Sequence, residues 1–368
     1  MRKTKMLRLS LVGLAAFLGS CGTSHVSSAA SSGPSSSPAS SAVQSSTVSA
    51  ASSEAKLSLS FKALSPLGAP ALAYTSYLTD NKAQITTAAP SVVSAELMKG
   101  EYGAIIFDLT NGSKLISKKG APYKLAKVLT KGNSYIVSTG HDANQKMEEG
   151  DAIVSFSTSA IFTGIMKKIY GITTVSEVSD VATAFSVAKT GKLEGNDVDY
   201  VLLSEPMVTK LLLSGSTDTV YANLTAEWAS YSKAQGYNGG QGFTGFPQAG
   251  LFISDTLEAD TAKKAEITSF LGEINKTAGD LISGDGSQTL ARIQADSAAG
   301  IYDPSTVFGL DYATLSKVLD SKQNPNKTVN ALAFNQEAYD VNAFFTEAGL
   351  TGYTALDSAV FSSFYQAA

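Results

Sequence analysis

Asp199-Tyr200-Val201-Leu202-Leu203-Ser204-Glu205-Pro206 is an apolar run that ends abruptly in a hydroxyl, a carboxylate and a proline. A short β-branched and aromatic stretch bounded by turn residues reads as a buried strand, with Ser204-Glu205-Pro206 delivered to its C-terminal end. Similar runs recur along the chain at 57–61, 104–107, 124–129, 135–138, 152–156 and 246–253. Helical spacing falls between and after them at 71–78, 91–99, 157–170, 180–189, 208–212 and 225–235, and again at 312–319 and 336–348. Strands that alternate with helices argue for parallel βαβ units and so for the α/β class. Pro70 suits the first turn of the first helix, and Gly100 stops the second. Asn111-Gly112 reads as a turn, and the polar stretch 140–150 as the passage between two lobes.

The N-terminus is organised differently. Arg2, Lys3, Lys5 and Arg8 precede an apolar run at 9–18 that is too short for a permanent membrane span, so residues 1–20 read as a signal peptide. Leu18-Gly19-Ser20-Cys21 sits where bacterial lipoproteins carry the cysteine that becomes acylated, and it resembles their lipobox. The alternative is ordinary secretion with a free thiol. Residues 21–55 then form a Ser/Ala-rich tether with no aromatic residue, which cannot bury a core. The expected address is the outer face of the bacterial cytoplasmic membrane, with lipid on Cys21 as the attachment.

Composition narrows the function further. The 368 residues include 28 Lys+Arg and 32 Asp+Glu, with no basic stripe, so nucleic acid is not an implied partner. One cysteine and two histidines, His25 and His141, cannot form a His/Cys metal constellation or a disulfide framework. No metal and no cofactor is expected. From residue 56 onward roughly 310 residues remain, more than one lobe of ~100–200 residues holds. Two lobes are expected, one from 56–140 and 250–368, the other from 141–249.

Five segments fall in a telling order: Pro66 to Ala71, Gly100-Glu101-Tyr102-Gly103-Ala104-Ile105-Ile106-Phe107, Lys131-Gly132-Asn133-Ser134-Tyr135-Ile136-Val137, Ser204-Glu205-Pro206, and Phe246-Pro247-Gln248-Ala249-Gly250. With the lipobox, this order resembles the substrate-binding lipoproteins of ABC transporters, in the type II, thiamine-precursor/nitrate/alkylsulfonate-like branch. The resemblance implies a two-lobed type II periplasmic-binding-protein fold with a two-strand hinge, a small-molecule ligand between the lobes, a monomer, and an ABC permease with its ATPase as partners.

Open α/β sheets bind ligands at strand C-termini, and this rule selects the candidate loops. In the first lobe these are Leu67, Gly68 and Ala69, where little side chain stands between ligand and backbone, and Asp108, Thr110 and Asn111. A tight turn and a helix cap explain the same residues equally well. In the second lobe Ser155, Ser157, Thr158 and Ser159 cluster at a helix start, more hydroxyls than capping needs. Glu205 suits a ring amine or hydroxyl, or a cap for the helix at 208–212. Asn133, Tyr135, Phe246 and Gln248 lie near the hinge, as cleft lining or as packing.

These loops hold no arginine, which argues against a polyanionic ligand and for a small neutral or weakly charged one, such as a flat heterocycle. Alkylsulfonates, which helix N-termini can hold alone, stay open. Two other readings are retained. An enzyme on the same fold would need a positioned base, yet no G-x-S-x-G elbow is present and His141 lies in a polar loop. A surface interaction protein would be favoured by repeats, and the sequence has none.

Overall fold

Among the described residues, twelve strands run in chain order as β1 (Ala63–Pro66), β2 (Ile85–Ala88), β3 (Ala104–Asp108), β4 (Tyr123–Thr130), β5 (Ser134–Ser138), β6 (Ile153–Ser155), β7 (Ser176–Glu177), β8 (Lys192–Leu193), β9 (Asn196–Asp197), β10 (Tyr200–Ser204), β11 (Thr219–Asn223) and β12 (Ala249–Ser254). The computed structural model describes residues 57–140, 146–156, 160–216, 218–282, 286–320, 324–326, 330–349 and 354–366. The expected signal peptide and tether, Cys21, His141 and the Ser157, Thr158 and Ser159 cluster lie outside the described residues. Residues 55–368 pack as one unit.

The strands build two mixed five-stranded sheets and one small hairpin, β8 with β9. The first sheet has the order β2-β1-β3-β12-β4, with β1 parallel to β2 and β3, and β12 antiparallel to β3 and β4. The second has the order β11-β5-β10-β6-β7, with β6 parallel to β7 and β10, and β5 antiparallel to β10 and β11. The two are one plan used twice. In each, a strand from the far side of a crossing is inserted antiparallel beside the third parallel strand.

Three local expectations are corrected. Residues 57–61 are not a strand: their N–H groups are taken by side chains, Leu59 by Asn81 Oδ1 at 2.7 Å and Ser60 by Glu266 Oε1 at 2.6 Å, and pairing starts only at Ala63. Asn111-Gly112 is not a turn but part of the helix Leu109–Lys119. Gly112 serves close packing there, since a Cβ would meet the Phe252 ring at 2.5 Å. The passage between sheets is not at 140–150. The chain leaves the first sheet at Thr130 and enters the second at Ser134, because β5 pairs with β10 and β11.

Three apolar clusters among the described residues support these sheets. Helix Lys264–Ile282 buries Ile267, Phe270, Ile274, Thr277, Ala278 and Leu281 at helical spacing, and Phe270 meets Phe61 edge-on at 5.3 Å between centroids. On the other side Trp228 stacks on Tyr231 at 5.7 Å and takes the edge of Phe344, also at 5.7 Å. Phe344 belongs to the C-terminal helix Val341–Ala348, so the end of the chain packs on an element following the second sheet. Before that helix Phe334 bridges to Thr130, and after it Phe361 bridges to Leu125, both in β4. No described helix is long and apolar enough to cross a membrane.

Candidate functional site

The two crossing segments, 131–133 and 246–248, lie against each other. Phe246 N–H donates to Lys131 O at 3.2 Å, Gln248 N–H to Thr130 O at 3.1 Å, and Asn133 N–H to the Gln248 side chain at 2.9 Å. Gly132 is required twice over here: its φ is +89°, and a Cβ would meet the Phe246 ring at 2.5 Å. Gly245 lies so close to the Lys131 carbonyl that any side chain collides with backbone. Gly245→Ala is therefore expected to cost about 1–3 kcal/mol by overpacking, seen as a lower denaturant midpoint at unchanged m-value.

From these segments the network reaches both sheets. Leu109 N–H, at the end of β3, donates to Gln248 O at 2.8 Å. On the other side Asn133 Nδ2 donates to Glu205 O at 3.1 Å, and Glu205 N–H to Asn133 O at 3.1 Å, extending the β5–β10 ladder by one pair. Thus Asp108-Leu109, Gln248, Asn133 and Glu205, distant in sequence, form one connected group.

The two carboxyls are already engaged. Asp108 Oδ1 accepts from Asn111 N–H at 2.7 Å and Thr110 Oγ at 2.8 Å, capping the helix behind it. Glu205 is 1 % exposed: Oε2 accepts from Thr209 N–H at 2.9 Å, and Oε1 faces Thr209 Oγ1 and Asn326 Nδ2, each at 2.9 Å. Burial pushes both carboxyls above their usual range, and these donors offset the shift only in part. Thr209 Oγ1 has one proton and two acceptors in reach, Glu205 Oε1 and Asn324 Oδ1, the latter at 3.0 Å.

The remaining expected residues are distributed unevenly. Tyr135 is buried, and its hydroxyl donates to Ala331 O at 3.3 Å; Phe246 is buried over Gly132. Leu67 is 44 % exposed beside Gly68, whose φ of +110° turns the chain into the 3₁₀ helix Ala69–Tyr74. Leu67, Gly68 and Ala69 share no hydrogen bond with the Asp108–Glu205 group. Thr110 is buried, Asn111 is exposed, and Ser155 is buried within β6. Thr209, Asn324 and Asn326 are site neighbours that the sequence reading missed. Asn324-Pro325-Asn326 is visible as turn chemistry, but nothing in it points to a carboxyl 121 residues away.

No model of a known protein family matches this sequence, and no curated protein matches it. Solved structures do. A crystal structure described as an ABC transporter from Parabacteroides distasonis superposes with a TM-score of 0.54 at 14% identity, over 82% of this chain and 98% of that one. The periplasmic aliphatic sulphonate binding protein SsuA from Escherichia coli gives 0.50 at 14% identity, over 78% and 85%. The fold is that of the two-lobed periplasmic binding proteins. The segments at 131–133 and 246–248 join the first sheet to the second.

Proposed function

We propose that this protein is the solute-binding component of an ABC importer, held by lipid on Cys21 at the outer face of the bacterial cytoplasmic membrane and handing its ligand to a permease. The observation that carries the reading is the meeting of the strand-end loops of both sheets, after β3 and after β10, at the paired hinge segments. That is where an open α/β sheet offers its ligand-binding surface, and two such surfaces on a hinge make a clamp. The mechanism is capture in an open cleft, closure about the hinge and docking of the closed form, with no bond made or broken. Asp108 and Glu205 fit this role better than catalysis, since each is tied to the helix that follows it. The ligand is small, neutral or weakly charged, or a sulfonate held by backbone N–H groups, and Ser157, Thr158 and Ser159 with Asn111 and Leu67 are its proposed contacts. The protein acts as a monomer.

Native mass spectrometry of the purified protein, followed by thermal shifts against heterocyclic vitamins and their precursors, nitrate and alkylsulfonates, tests this directly. A ligand at a hundred times its Kd is expected to stabilise the fold by about 2.7 kcal/mol. The double variant Ser157→Ala/Thr158→Ala is expected to lose most of that shift while its unliganded melting point stays within about 1 °C. Absence of any shift and of any co-purified small molecule would leave the importer reading without support.

A further inference from the structure

Strand β4 is the edge of the first sheet, and the C-terminal part of the chain covers it at both ends. Near Thr130, Asn335 donates from its backbone to Leu129 O at 2.8 Å and from its amide to Val128 O at 2.9 Å. Near Leu125, Ser362 N–H donates to Leu125 O at 2.9 Å. Between these stitches the cover parts, and a pocket of about 270 Å³ opens between β4, helix Lys264–Ile282 and the final residues. Its walls mix apolar and polar groups, with Val128, Leu271 and Phe364 on the apolar side.

Two polar groups in this pocket have no partner among the described residues. Lys127 is half-buried in the wall and has no hydrogen bond or ion pair among the described residues, and the loss of water together with nearby Lys131 pulls its ammonium down to about 8. Asn275, on the helix opposite, has a buried Oδ1 with no donor. The charged groups nearby are already committed to each other: Glu337 on the wall pairs with Lys131 at 3.1 Å. The pocket residues on helix Lys264–Ile282 are uncharged, as are Phe364 and Gln366. The buried Asn275 oxygen costs free energy until a donor reaches it, and the half-buried Lys127 ammonium, short of part of its water, gains from an anion placed in the pocket.

We propose that this pocket is a second ligand site, separate from the hinge group, for a small apolar carboxylic acid that also carries an N–H or O–H donor. The carboxylate pairs with Lys127, the donor reaches Asn275 Oδ1, and the apolar body lies along Leu271 and Phe364. None of these residues belongs to the Asp108–Gln248–Asn133–Glu205 group, so the inference stands apart from the importer reading.

Calorimetric titration of the purified protein with indole-3-acetate and 4-hydroxyphenylacetate at pH 7 is the test. Both acids are expected to bind, Lys127→Met and Asn275→Leu each to weaken binding about tenfold or more, and the methyl esters to bind as poorly as those variants do to the acids. Affinity should fall between pH 7 and pH 9.5 as the amine loses its proton. Both substitutions remove a group that burial disfavours, so melting points at or above the parent's are expected. Gln248→Ala, in the hinge group, should leave affinity unchanged. Failure of both acids to bind, binding undiminished in both pocket variants, or binding lost in Gln248→Ala but kept in Lys127→Met would overturn the proposal.

Discussion

Glu205→Ala is expected to lower the stability of the fold by about 3 kcal/mol, measured by urea denaturation. The substitution leaves the buried Thr209 N–H without its acceptor and removes one acceptor of the half-buried Asn326 amide, and an unsatisfied buried donor costs ~1–3 kcal/mol. The sum is tempered because a desolvated carboxyl is itself removed. Gln at this position keeps one acceptor but turns an NH₂ toward a donor, so Glu205→Gln should cost less than Ala and more than nothing. The pair of variants also reads the carboxyl's protonation. Its folded-state pKa is raised, first by burial, so the native state holds the proton better than the unfolded state does. The stability linked to this proton is fully present below the unfolded pKa and lost as pH rises through the folded one. The advantage of the parent over Glu205→Gln is therefore expected to grow as pH falls from neutral toward the ordinary carboxyl range.

Trp228→Ala is expected to cost about 3–5 kcal/mol, as large core truncations do. Trp228 is fully buried between Tyr231, Tyr237 and Phe344, so its removal opens a void under the C-terminal helix Val341–Ala348. Its indole N–H has no hydrogen-bond partner, which makes the residue valuable for shape and apolar area alone. Trp228→Phe should accordingly cost less than half as much as Trp228→Ala. Calorimetric melting of the two variants checks both numbers, and faster hydrogen exchange in 341–348 for the alanine variant locates the damage.

How far the sequence foretold this depends on which interactions are local. Strands β3 and β10, the stop at Gly100 and the helices at 180–189 and 225–235 are legible because apolar runs, glycine and capping residues act within a few positions, and Asp180 and Asn223 do cap those helices. The first-strand error at 57–61 has the opposite cause, since alternation there is overruled by Asn81 and by Glu266 from the far end of the lobe. Strand β2 and strand β11 are short and half-exposed, without the apolar signal of a buried strand. The passage between sheets reads at 140–150 because that stretch has loop composition, whereas the crossing at 131–133 is stiffened by pairing that composition does not reveal. Within the connected group, Asn133, Glu205, Gln248 and Asp108 are legible from strand ends and order. Their partners Thr209, Asn324 and Asn326 are not, because a buried carboxyl advertises a need for donors but never which ones.

The insertion of β12 between β3 and β4 governs how the chain folds in time. The first sheet has four strands by residue 130, yet its centre stays open until residues 249–254 arrive. Closing a loop of that size before any ladder rewards it is entropically slow, so contacts of high sequence separation dominate the barrier. An N-terminal portion that cannot seal its own core remains extended for as long as the remainder is still being delivered. On the export proposed above, that delay is an asset: the polypeptide stays threadable until it has crossed, and seals only on the far side.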